Sequence, residues 1–309
     1  MDYRGVFALA RTNLSRNSVA SKQAGASRTS LNAVQTALMQ PNYKAAPSKA
    51  QLKLFRSQAR ERETEIKSHS KLLAMRLKNF LTPAPRGAKE YRIDLRIHTS
   101  ASETFYAPQN VTAEEALVRI ALVKSLDLIA ITDCYSFSSV ERIKLAAAGK
   151  KLTVIPGIDL RLAIQGCDDA TFTAFFPENF SSQAQQSLLE ALAVPASASG
   201  SRSYILTKSL EQVIEIVEAH QGRLIPSRFD QTPLRLQLVA MLVEKYGFRA
   251  FDLAHEESVE YFREFWPDGG FTFLFSSNAF NLAQVGSRDS TLKLLTPNFA
   301  GLARAIERK

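Results

Sequence analysis

The chain has 309 residues, 45% of them hydrophobic and 22% charged, enough to bury a full core in one large domain or two. No apolar run approaches the ~18 residues that a membrane span needs and no charged-then-apolar leader opens the chain, so membrane insertion and secretion are not expected. Cys134 and Cys167 are too few for a disulfide framework, which points to a reducing, intracellular and cytoplasmic setting.

The net charge of +9 is distributed unevenly. Residues 1–91 hold 17 Lys and Arg against 5 Asp and Glu, whereas the rest of the chain holds 22 against 25. A polybasic arm on a near-neutral body suits a tether to nucleic acid, to an anionic surface or to an acidic protein partner; the plainer reading is a solvated, partly disordered extension. The first thirty residues carry Arg4, Arg11, Arg16, Lys22 and Arg28 among many Ser and Ala, with Asp2 as the one acid. This composition is similar to that of an organelle transit peptide, which leaves a mitochondrial or other organellar location as the alternative.

In chain order, residues 1–47 read as a basic Ser/Ala-rich arm and linker. Residues 48–82 read as a long basic helix: from Ser48, an N-cap candidate, to Leu81 there is no Pro or Gly. Leu52, Phe55, Ala59, Ile66, Leu73, Leu77 and Phe80 make its apolar stripe, which Arg62 and His69 interrupt, so packing on the body or on a partner is expected rather than a sustained coiled coil. "TPAPRG" and the rest of a linker at 83–89 mark a boundary.

From residue 90 onward short apolar strands alternate with helices. Strands are expected at 91–97, 127–132, 152–155, 171–176, 223–226, 249–253 and 271–275, and helices at 112–125, 209–220, 234–246 and 256–265. Such alternation implies a parallel sheet, closed as a barrel or open and doubly wound. In both architectures the residues just past the strand C-termini build the site. Those segments are "DLRIHT" (94–99), "ITDC" (131–134), "IPGIDL" (155–160), "CDDATFTAFF" (167–176), "IPSRFD" (225–230) and "FSSNAFNLAQVG" (275–286).

In order and wording these six segments resemble the PHP family, the polymerase and histidinol phosphatase superfamily of metal-dependent phosphoesterases. The resemblance covers residues 90–309. It implies an α/β fold, a PHP-like distorted (βα)7 barrel, here with a basic, largely helical N-terminal extension. It also implies a metal site, and placing the family's ligand positions on this chain shows how far the site departs from the pattern. Arg96 stands where the first histidine is expected and His98 keeps the second. Cys134 replaces a histidine, Asp159 a glutamate, Thr171 and Arg228 two further histidines, and Asn278 and Phe280 an aspartate and a histidine.

Clustered divalent ions need carboxylates and neutral imidazoles to offset their mutual repulsion. A guanidinium cannot lose its proton to become a ligand, and Phe280 has no donor atom. The expectation is therefore a pseudoenzyme: a catalytically inactive PHP-fold module with no cofactor, acting in structure or interaction, with residues 1–82 contacting a protein partner or nucleic acid. The alternative is a divergent phosphoesterase with one Zn or Mn held by His98, Cys134 and Asp159. For Arg96 and Arg228 two roles are expected: pairing with nearby carboxylates among Asp94, Asp133, Asp159 and Asp230, or binding an anion. His220 and His255 are expected at capping or surface positions, as is His69, and Trp266 with "FTFLF" in the core.

Overall fold

A computed structural model describes residues 83–103 and 112–308; the expected arm at 1–47, the helix at 48–82 and His69 lie outside the described residues. Eight strands form one sheet in the order β7-β6-β5-β4-β3-β2-β1-β8 that curls into a nearly closed barrel. They are β1 (Lys89–Ile97), β2 (Leu128–Ile131), β3 (Thr153–Ile164), β4 (Cys167–Phe175), β5 (Arg223–Ser227), β6 (Ala250–Asp252), β7 (Thr272–Leu274) and β8 (Ser290–Leu294). At the seam, Phe275 just past β7 donates its N–H to Ser290 Oγ of β8 at 2.7 Å.

The helices are α1 (Ala113–Val123), α2 (Val140–Ala147), α3 (Ser182–Ala191), α4 (Leu210–Ala219), α5 (Pro233–Leu236), α6 (Val239–Glu244), α7 (Ser258–Phe265) and α8 (Phe299–Ala305). Local chemistry sets their starts. Ser209 and Gln212 form a reciprocal capping box at α4, while the side chains of Ser181, Thr232 and Asn298 accept from the first turns of α3, α5 and α8. The stretch expected as one helix at 234–246 is two, α5 and α6, separated by Gln237 and Leu238.

The barrel arrangement holds, but the purely parallel seven-stranded pattern needs correction. β1–β2–β3 and β5–β6–β7 run parallel, whereas β4 is antiparallel to both neighbours and β8 pairs antiparallel with β1. β3 and β4 are joined by Gln165 and Gly166, a hairpin too short for a helical crossover, so antiparallel pairing is forced. β8 is half polar, "STLKL", with a mixed burial pattern, which is why no apolar run announces it.

The apolar core joins alternate residues of the strands, among them Ile93, Leu95, Leu128, Ala130 and Ile155, to Phe299, Leu302 and Ile306 of α8 and its end. The register of β1 against β2 slips between Asp94 and Ile97. Side chains alternate along β1, so the strand that turns Ile93 and Leu95 to the core turns Asp94, Arg96 and, just past its end, His98 to the opposite, polar side. Phe251, Phe262, Phe271 and Trp266 pack as one aromatic group, with ring centroids 4.8–6.3 Å apart; of the residues expected in the core, Phe271 and Leu274 are buried, whereas Trp266, Phe273 and Phe275 are half-buried.

Candidate functional site

The cup is built where β1, β3, β4, β5 and β6 end or cross. Arg96 is buried at 6% exposure, and its Nε and Nη2 both donate to Asp159 Oδ2, at 2.9 and 2.6 Å. Its Nη1 lies 3.9 Å from Asp252 Oδ2, and Arg228 Nε lies 3.6 Å from the same oxygen. Arg228 Nη2 donates to the Ser276 carbonyl at 2.9 Å. On its other oxygen Asp159 accepts from Thr173 Oγ1 at 2.7 Å, and Thr173 is in turn 2.8 Å from Ser227 Oγ. The pairing Asp159↔Thr173 across β3 and β4 fixes that contact.

These carboxylates and guanidiniums form the charge network that the sequence allowed, with a different choice of partners. Asp94, Asp133 and Asp230 do not take the arginine side chains. Asp94 accepts backbone N–H groups from Arg96, Ser277 and Gly286; Asp133 accepts from Thr99 N, Thr99 Oγ1 and Ser102 Oγ; Asp230 accepts from Ala254 N, His255 N and Ser258 Oγ. Asp252, at the end of β6, takes their place. The rule that sites gather at strand ends applied to Asp252 as well, so its position carried a usable signal.

His98 is fully buried and stacks on Phe280 with ring centroids 4.0 Å apart and an angle of 11°. Its Nε2 is 3.5 Å from Asp159 Oδ2. Burial, with Arg96 and Arg202 adding repulsion, lowers the imidazole pKa to about 4, so the ring is neutral at neutral pH. Burial would push Asp159 up, but Arg96 and His98 outweigh it and hold the carboxyl below the ordinary range. Desolvation opposes charge on Arg96 too, and Asp159 and Asp252 more than offset it. Burial pushes Asp94 up to about 6 and the Cys134 thiol up to about 12.

His98, Cys134 and Asp159 offer ligand atoms within 4.8 Å of one another, all buried. The remaining expected positions scatter in role. Thr171 faces Arg161 and Ser227 on the flanking strands, Phe280 covers His98, and Asn278 and Arg228 sit at φ of 52° and 60°, a left-handed backbone that residues with a Cβ enter at a cost of about 1–2 kcal/mol. Among the histidines read as surface or capping, His220 is the C-cap of α4 with Nδ1 2.8 Å from the Ile216 carbonyl.

Sequence reasoning missed a second tier of arginines. Arg161, Arg202 and Arg235 line, with Arg96 and Arg228, one cavity of about 190 Å3. Arg161 Nη2 and Arg235 Nη2 each approach Asp169 Oδ2 at 2.7 Å. Arg202 lies over the Phe280 ring, 4.5 Å from its centroid. It arrives on the loop after Gly200, whose φ is +81° and where a Cβ would stand 2.3 Å from the Ala101 carbonyl oxygen. Gly200 N–H donates to the Cys134 carbonyl at 2.7 Å, so the loop is anchored to the cup.

Comparison with solved structures places this architecture. It is similar to the lesion-specific endonuclease PfuEndoQ of Pyrococcus furiosus, with a TM-score of 0.53 and 13% identity over 71% of this chain and 56% of the endonuclease. It is also similar to a two-domain Bacteroides vulgatus protein described as containing a PHP-like metal-dependent phosphoesterase, with a TM-score of 0.50 and 12% identity over 73% of this chain and 65% of that one. The barrel is PHP-like. No protein-family model and no curated protein matches the chain. The match spans less than two thirds of either neighbour, and identity at this level establishes the PHP-like fold without the chemistry.

Can this PHP-like cup hold the polynuclear metal centre the fold implies? Its donor set does not fit one. The Asp159 oxygen nearest His98 is occupied by two guanidinium N–H groups, and Phe280 on the His98 ring brings no donor atom. Fixed cations at Arg96 and Arg228 stand against clustered divalent charge.

Proposed function

We propose that the chain is a catalytically inactive PHP-fold protein, a pseudo-phosphoesterase used as a structural or interaction module. Its basic N-terminal residues 1–82 tether it to a protein partner or to nucleic acid. The observation that carries the reading is the double donation from Arg96 to Asp159. A guanidinium sits where a metal would meet its carboxylate, and the charge that a cation would supply is already supplied by the protein itself. A retained barrel with a replaced donor set is the pattern of a fold kept for its packing and surface.

The test combines elemental analysis of the purified full-length chain with phosphomonoester and phosphodiester assays in added Zn and Mn. Less than stoichiometric metal and no turnover above the blank are expected. Stoichiometric metal with turnover lost in His98→Ala would establish instead the second reading, a single Zn or Mn at His98, Cys134 and Asp159. That alternative draws on the 4.8 Å grouping of the three donors. It requires Asp159 to release Arg96 and the Cys134 thiol to ionise.

The tether has its own signature. Seventeen cations in residues 1–91 give binding to a nucleic acid or an acidic protein that weakens steeply with salt. Removal of residues 1–81 abolishes that binding while leaving the barrel folded, as circular dichroism and native mass spectrometry would record.

A further inference from the structure

Five arginines and two carboxylates, Asp159 and Asp169, line the 190 Å3 cavity at the mouth of the cup. Adding Asp252, which lies behind Arg96 and Arg228, leaves cations ahead of carboxylates by five to three. Arg96 and Arg228 are balanced by Asp159 and Asp252. Arg161 and Arg235 share the single carboxylate of Asp169, so one positive charge is left over there. Arg202 has no carboxylate partner among the described residues and leans on the Phe280 ring.

The buried pairs, Arg96 and Arg228 with Asp159 and Asp252, are the balanced ones, and the surplus stands at the rim, where Arg202 is exposed and the Asp169 side chain is 47% exposed, within reach of an anion from solvent. Arg228 is 8% exposed and lines the cavity, while its Nε, itself buried, lies 3.6 Å from Asp252 Oδ2. Arg228 and Asn278, both lining the cavity, are held in left-handed backbone conformations, φ 60° and 52°, and strain of this kind persists where a side chain must be aimed. The volume holds several waters or one phosphate group, given about 30 Å3 per water in the liquid.

We propose that this cavity binds the terminal phosphate dianion of a phosphate monoester, or inorganic phosphate itself, through Arg202, Arg228 and the Arg161–Arg235 pair, without cleaving it. The dianion matches the twofold surplus, and a guanidinium fork presents paired donors to two phosphate oxygens at once. The proposal rests on the reading of the cup as free of metal, and the two are separable by experiment.

The test uses the chelator-treated full-length chain, titrated calorimetrically with inorganic phosphate, phenyl phosphate and dimethyl phosphate. One saturable site for the first two is expected, with the diester monoanion binding at least about tenfold more weakly. Arg202→Gln, at an exposed position that the fold tolerates, weakens phosphate binding at least about fivefold, and Arg228→Gln about tenfold or more. Arg92→Gln, whose guanidinium pairs with Asp289 away from the cavity, leaves it unchanged. Absence of a saturable site, equal affinity for the diester, or an Arg202→Gln protein that binds like the parent would overturn the proposal. Release of phenol from phenyl phosphate would overturn the inactive reading and leave the pocket standing.

Discussion

Arg96→Met isolates the central electrostatic feature of the cup. The substitution keeps much of the side chain's apolar length and removes two hydrogen bonds to Asp159 together with the counter-charge 3.9 Å from Asp252. Asp159 is 2% exposed, and after the change Thr173 is the one side-chain donor among the described residues that stays at hydrogen-bond distance. Removing one member of a buried pair costs about 3–5 kcal/mol, because the other charge is left without compensation. For a domain of this size each kcal/mol lowers Tm by about 2–4 °C, so a fall of about 6–20 °C is expected at pH 7 by calorimetry, with a matching loss in urea denaturation.

The pH dependence sharpens the prediction. In the parent, the Asp159 carboxyl lies below the ordinary range, so its stabilising contribution is present above the unfolded-state pKa and is lost as pH falls through the folded one. In Arg96→Met burial dominates and the folded pKa rises above the unfolded value. The cost of the variant is then largest at neutral pH and shrinks toward pH 4 as Asp159 takes up a proton. Adding Asp159→Asn to Arg96→Met recovers at least about 2 kcal/mol at pH 7 for the same reason. A loss below about 1 kcal/mol at pH 7, or one that does not vary between pH 4 and 7, would refute the role assigned to Arg96.

Three other outcomes are expected. The His98 ring titrates near 4 by NMR, and Phe280→Ala, by uncovering it, moves that value up toward the ordinary 6.5. A lowered imidazole pKa makes stability rise with pH between about 4 and 6.5, whereas the Asp94 carboxyl, raised to about 6, makes it fall between about 4 and 6, so the two oppose each other. In Asp94→Asn the slope of stability against pH over that interval becomes more positive by up to about 1.4 kcal/mol per unit, read from urea midpoints at pH 4.5 and 5.5. Gly200→Ala, which forces a Cβ against the Ala101 carbonyl at a φ of +81°, costs about 2 kcal/mol or more in thermal unfolding and, by disturbing the Arg202 loop, weakens phosphate binding.

The chain sequence by itself determined the alternation of strand and helix, because most strands carry apolar residues in runs or in alternation between turn residues, and it singled out Arg96, His98, Cys134, Asp159 and Arg228, although Asp159 falls within β3 and not at its end. It also specified what those side chains are unable to do, since a guanidinium cannot surrender its proton whatever surrounds it. Tertiary structure alone decided which carboxylates meet which arginines. Backbone N–H groups converge on Asp94, Asp133 and Asp230 from segments distant in sequence, Gly286 reaching Asp94 across 192 positions, and those three are thereby withdrawn from ion pairing. The β3–β4 hairpin register aligns Asp159 with Thr173, and the Gly200 turn carries Arg202 over Phe280. Neither is written in local periodicity, because pairing across a barrel depends on which strands become neighbours, and a charge is balanced or surplus only once its neighbours are in place.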